Sequence, residues 1–295
     1  MEKKKKRKKL NMWQKEALTG YLFSLPFIIG LLFFLVVPMF VSLYYSFCDF
    51  NILSEARWVG LKNYTAIFRD NDFYTSLFLT LKFAVFSVPL RLLAALAVAI
   101  ILFRNTKMTP IYRAVFYFPS IIGSSVAIAI LWKRLFAADG LINSLFGTTV
   151  GWIGNPKTAM WVIIILSVWQ FGSSMLLFLA AMKQIPESLY EAARVDGAGG
   201  FKAFFTITIP LLTPTIFFNL VMQSINAFLI FAQAQLITNG GPLKATRFYV
   251  LYMYQTSFEF SKAGYGAALG WMIVLVIMLY TLFLFRTKKY WVYEE

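Results

Sequence analysis

Histidine is absent from this 295-residue chain, and cysteine occurs once, as Cys48. Without histidine there is no imidazole metal site, no histidine-based triad and no histidine proton relay. A single thiol excludes an internal disulfide framework. Charge is scarce too. Asp, Glu, Lys and Arg together make up 14% of the residues, against roughly 25% in soluble domains. Hydrophobic residues make up 59%, and the mean hydropathy is +0.68. So few charges cannot cover a water-facing surface, which predicts an all-α integral membrane protein.

The net charge of +15 invites a nucleic-acid partner, but its distribution argues against one. Seven basic residues form the run Lys3 to Lys9, next to the first apolar stretch. A basic flank there fits retention in the cytoplasm and attraction to anionic lipid. The uncharged run that follows, Ala17 to Cys48, has 32 residues. That is far beyond the roughly 7–15 of a cleaved signal sequence, so it reads as an anchor.

A bilayer core takes about 20 helical residues. By that measure six spans are predicted, at about 20–47, 80–103, 112–133, 159–182, 208–236 and 264–286. They form one membrane domain over 17–286, with a basic tail at 1–16 and a short tail at 287–295. The turn "NGGP" at Asn239–Pro242 ends the long fifth run. With both termini inside, the inner segments hold 17 of the 28 Lys and Arg residues, which favours cytoplasmic termini. The loop at 184–210 is then cytoplasmic.

That loop contains "IPESLYEAARVDGAGG". Pro186 and Glu187 suit a helix start, and Leu189, Ala192, Ala193 and Asp196 share one face. Gly197, Gly199 and Gly200 end the helix after about ten residues. Taken alone, such a helix could rest on the inner leaflet or offer its small-residue face to another protein.

Polar groups inside the spans are few. Asn219, Gln223, Asn226 and Gln233, spaced four, three and seven apart, share a helical face near Phe228 and Phe231. Amides facing lipid are costly, so the row turns inward, either to line a path or to join helices. Amides beside aromatic rings suit a sugar, with hydrogen bonds for its hydroxyls and a ring for its C–H face. Gln170, Ser173 and Ser174 near Trp169 are further candidates, followed by Ser120, Ser124 and Ser125. Arg91 lies twelve residues before Phe103, about 18 Å along a helix and so near mid-membrane. A charge there is a functional hypothesis by default. Its partner could be carbonyls, water, a second subunit or an acidic sugar such as a uronide.

The spacing in the cytoplasmic loop adds a resemblance. Glu191-Ala192-Ala193, three residues, Gly197, then nine residues to Ile207-Thr208-Ile209-Pro210 resembles the EAA loop of bacterial ABC importer permeases, with Ile209 for the usual leucine. With "TNGGP" at Thr238–Pro242 and the run of six spans, the chain from about Ala17 looks like the carbohydrate-uptake permeases of the maltose-transporter type, a MetI-like architecture. The resemblance implies that the short helix is a coupling helix, with Glu191, Ala192, Ala193, Asp196 and Gly197 seated against a cytoplasmic ATPase. It implies a second permease subunit in a heterodimer, two ABC ATPase subunits that carry ATP-Mg, and an extracellular binding protein. The chain has no Walker A pattern, so it is not an enzyme and holds no cofactor of its own. The implied function is import of a sugar or oligosaccharide across a bacterial cytoplasmic membrane; uptake of glycerol phosphate or another small polar solute is the alternative.

Overall fold

A computed structural model describes residues 11–51, 54–103, 106–123 and 125–293. The basic run Lys3–Lys9, Arg104 and Ser124 lie outside the described residues. Four helices are long and apolar enough to cross a bilayer uninterrupted: Glu16–Ser46, Asn71–Phe103, Gly200–Phe228 and Ala263–Lys288. Two bent pairs complete the set, Thr109–Ile122 with Val126–Leu135 and Ala159–Trp169 with Gly172–Gln184. Counting each bent pair as one crossing gives six. Among the described residues the only sheet is one antiparallel bridge, Cys48–Asp49 against Arg57–Trp58.

The helix ends differ from the hydropathy limits where the sequence carries backbone instructions. The third span bends by 99° between its halves. Gly123 ends the first half, and Ser125, in extended conformation, caps the second by accepting from Ile128 N at 3.3 Å. The fourth span bends by 41° around Gln170 and Phe171. The fifth stops at Phe228 rather than near 236, and a short helix, Ala232–Ile237, follows after a three-residue break. The second begins at Asn71 and runs 33 residues. At the helical rise that is about 50 Å, against a hydrocarbon core of about 30 Å, so its first turns stand clear of the lipid.

The 71–103 helix is the central post. It packs mainly against 172–184 and 200–228. Ala95 and Ala99, both fully buried and one turn apart, bring those backbones close. Phe83, Ile163, Met175, Phe178 and Leu212 fill the space around them. The most apolar stretch of the N-terminal helix, by contrast, is entirely uncovered, with Phe23 and Phe34 83% and 79% exposed. Its C-terminal part packs on the 263–288 helix.

Gly172 sets how closely the fourth span meets the third. A Cβ there would lie 2.4 Å from Phe116 O and 2.6 Å from Tyr117 Cα, both backbone atoms with nowhere to go. Gly172→Val should therefore misassemble, at a cost of about 1–3 kcal/mol or more from overpacking. A clear loss of detergent-stable protein checks this; wild-type yield and melting would mean that the helices can part freely here.

Candidate functional site

The predicted loop opens with one helix, Glu187–Val195, with Pro186 at the N-cap rather than inside the first turn. Its C-terminus closes with two turn bonds, Gly197 N to Arg194 O at 3.0 Å and Ala198 N to Ala193 O at 2.8 Å. This is a Schellman end, which places Gly197 in the left-handed region, at φ +73°. Glu191, Ala192 and Asp196 are exposed and Ala193 is half-buried, and no residue of the helix is buried within the chain. Leu189 and Val195 also face outward, 41% and 88% exposed. The helix is tied to the membrane part through the hydroxyls of Tyr190 and Thr208, 2.9 Å apart. Thr208 stands near the start of the Gly200–Phe228 span.

Further along that same span lies a cavity of about 430 Å³, within the usual range of small-molecule sites. Six of the sequence-predicted residues line it: Arg91, Ser120, Gln170, Gln223, Asn226 and Gln233. They come from four of the predicted spans and meet because of the helix breaks. The break at Gln170 frees its backbone carbonyl, which accepts from Arg91 Nη2 at 2.6 Å and from Ser120 Oγ at 3.0 Å. The Gln170 side chain donates to Gly123 O at 3.1 Å, across the bend of the third span. Gln223 Nε2 donates to Ser174 Oγ at 3.1 Å, while its Oε1 is buried without a partner. Asn226 is exposed and Gln233 half-buried, so the amide row opens outward from the chain.

Asn219, Ser173, Ser174 and Ser125 stand apart from the lining. Asn219 is buried and donates to Thr215 O of its own helix at 2.9 Å. Ser173 uses its backbone N–H to donate to Ser120 Oγ at 3.1 Å, which fastens the fourth span to the third. The aromatic neighbours differ as well. Phe228 packs edge-on against Tyr280 with centroids 5.2 Å apart, and Phe231 sits 5.0 Å from Tyr254. The aromatic lining residue is Phe83 instead. Ser87 also lines the cavity, its Oγ buried without a partner. Its only signal in the sequence is a position one turn before Arg91, on the same helix face.

The family described as the binding-protein-dependent transport system inner membrane component matches residues 21–290. The chain belongs to that family. Its members are membrane components of transport systems, so the chain is a translocation subunit rather than an enzyme, a multi-pass permease. The permease is 48% identical to the probable ABC transporter permease YesP of Bacillus subtilis, covering 98% of this chain and 96% of the relative. It is 31% identical to the trehalose/maltose transport system permease MalF of Thermococcus litoralis, over 94% of this chain and 95% of that one. It shares its fold with a chain of a bacterial alginate ABC transporter, solved in complex with an alginate pentasaccharide-bound periplasmic protein. The TM-score there is 0.80 at 21% identity, over 94% of this chain and 96% of the other.

At the far end of the permease from the Glu187–Val195 helix, charged groups tie the 71–103 helix to the segment before the last span. Asp72 pairs with Lys244 at 2.8 Å and with Arg247 at 2.5 Å. Asp70 accepts from the hydroxyls of Tyr252 and Tyr265 and from Asp72 N. Burial opposes the charge on Asp70, yet those three donors outweigh it and hold the carboxyl below its ordinary range. With a depressed value, the Asp70 contribution is complete at neutral pH and fades as acid passes from the ordinary carboxylate range down through that lowered one. Asp72→Asn should loosen the 239–262 segment, by about 1 kcal/mol at most for a half-exposed pair, and should speed its cleavage by protease. Unchanged resistance would assign the hold to Asp70 and the two tyrosines alone.

Proposed function

We propose that this permease is the transmembrane subunit of an ATP-driven importer for a sugar or oligosaccharide, which an extracellular binding protein delivers. The observation that carries the reading is a shared helix. The Gly200–Phe228 span is tied at Thr208 to the short loop helix and carries Gln223 and Asn226 on the cavity wall. Fifteen residues, about 22 Å of helix, separate those two ends. A push on the loop helix thus travels along one rigid element to the groups that would hold the solute.

In this reading two ABC ATPase subunits hold ATP-Mg in the cytoplasm and grip the Glu191–Gly197 face when they close. Both termini are cytoplasmic, in the plasma membrane of a bacterium. A second, different permease covers the open side of the cavity and the uncovered N-terminal helix, since that apolar stretch has no partner within the chain. Amides donate and accept at once, as paired sugar hydroxyls require, and Phe83 offers an apolar wall. Coordinated closing and opening around the cavity gives alternating access.

The test is uptake of labelled solutes by a deletion strain and its complemented parent, with and without energy depletion. The panel holds neutral oligosaccharides, uronic-acid oligosaccharides and glycerol phosphate. Energy-dependent rescue for a sugar is the expected result. Rescue for glycerol phosphate alone would move the permease to small-solute import, and uptake that ignores energy depletion would remove the ATP-driven mechanism.

A further inference from the structure

We infer that the cavity binds a sugar bearing a carboxylate, with Arg91 as its counter-ion. This rests on the sugar-import reading above and adds the charge of the substrate. Arg91 stands about 18 Å from the inner end of its helix, a depth at which a guanidinium is expensive to keep. The groups that meet it within the chain are neutral. Its Nη2 donates to Gln170 O, and its Nε is buried without a partner. Among the described residues the ion pairs are Arg134–Asp139, Lys244–Asp72 and Arg247–Asp72, and none involves Arg91. The acid next along its own helix, Asp72, is nineteen residues away, about 28 Å.

A carbonyl satisfies one N–H but cancels no charge. The remaining positive charge looks onto a cavity whose other polar lining residues are serines and amides, Ser87, Gln223 and Asn226 among them, all uncharged. Such a site favours a ligand with one negative charge and several hydroxyls. The guanidinium takes the carboxylate through charge-assisted hydrogen bonds, and the amides and Ser87 take the hydroxyls. A phosphate ester, with a charge of about −1.5 to −2 near neutral pH, would leave excess negative charge beside a single cation. One guanidinium among neutral amides therefore fits a uronic acid better than a sugar phosphate.

Uptake by the complete transporter in the complemented deletion strain tests this. The probes are a labelled diuronide, the neutral disaccharide of the same linkage, and glycerol phosphate. Wild type should take up the diuronide. Arg91→Gln should lower the ratio of diuronide to neutral uptake by about 10- to 100-fold, the range for a lost hydrogen bond to a charged group. Arg91→Lys, which keeps the charge, should restore most of that ratio. An equal fall for both sugars would overturn the proposal and leave Arg91 as a brace on the Gln170 carbonyl, and no change in either would overturn it too. If wild type takes up only the neutral sugar, the inference falls while sugar import stands. If it takes up neither sugar, both fall. Should wild type import the diuronide alone, the membrane content of assembled complex becomes the reference. Lost uptake at unchanged content then supports the proposal, and a matching loss of complex overturns it.

Discussion

A Gly197→Val permease should insert and assemble normally, yet import at a small fraction of the wild-type rate. The reason is conformational. At φ +73° the residue sits where a β-branched side chain is strained, by about 1–2 kcal/mol. The strain is relieved by giving up the two turn bonds to Arg194 and Ala193, so the loop helix loses its defined end. Space is not the issue: a Cβ at Gly197 meets nothing within 4 Å, so the membrane part has no reason to misfold. Reconstituted with its partners, the variant should still hydrolyse ATP but no longer couple hydrolysis to uptake. Gly197→Asn, which tolerates the left-handed region, should keep most of the transport. Wild-type uptake in the valine variant would remove the loop helix from the coupling pathway.

The second large effect is expected at Gln223. Replacing it with leucine keeps the bulk but removes a donor and an acceptor from the cavity wall. The bond to Ser174 Oγ is lost, yet the buried Oε1 had no partner within the chain, so little folding energy depends on it. Transport should fall by about tenfold or more, as for one good hydrogen bond to substrate, while the complex with the ATPase stays intact. Asn219→Leu serves as the internal comparison, because Asn219 bonds only within its own helix and lies off the cavity. Loss of ATPase docking together with transport in Gln223→Leu would point to packing instead.

The parts legible in the sequence were those governed by local spacing. The apolar runs marked the spans. The Glu191–Gly197 interval marked the helix and its glycine end, since a left-handed stop is set by a few neighbouring residues. Gln223 and Asn226 meet the cavity as helical spacing requires, because both precede Phe228. Beyond Phe228 the 3.6-residue period no longer applies. The chain breaks at 229–231, so Gln233 reaches the cavity by a turn of the backbone, and Phe231 is carried away towards Tyr254. Asn219 obeyed the period but donates to Thr215 O and leaves its Oδ1 buried without a partner, off the cavity, which hydropathy cannot foresee. The bends at Gly123–Ser125 and Gln170–Phe171 were hidden because they carry no charge and no proline at the break. Only the contacts between spans show why they are there: each frees a carbonyl, on Gly123 and on Gln170, that a neighbouring side chain then takes.

The 71–103 helix runs unbroken from the Asp72 ion pairs to the cavity and on to Phe103. A rod of that kind cannot turn at one end without turning at the other, and each residue of slippage would swing its side chains by about 100° around the axis. Asp72, seated between Lys244 and Arg247, therefore works like a key in a shaft. It fixes the azimuth at which Arg91, five turns along, faces the cavity.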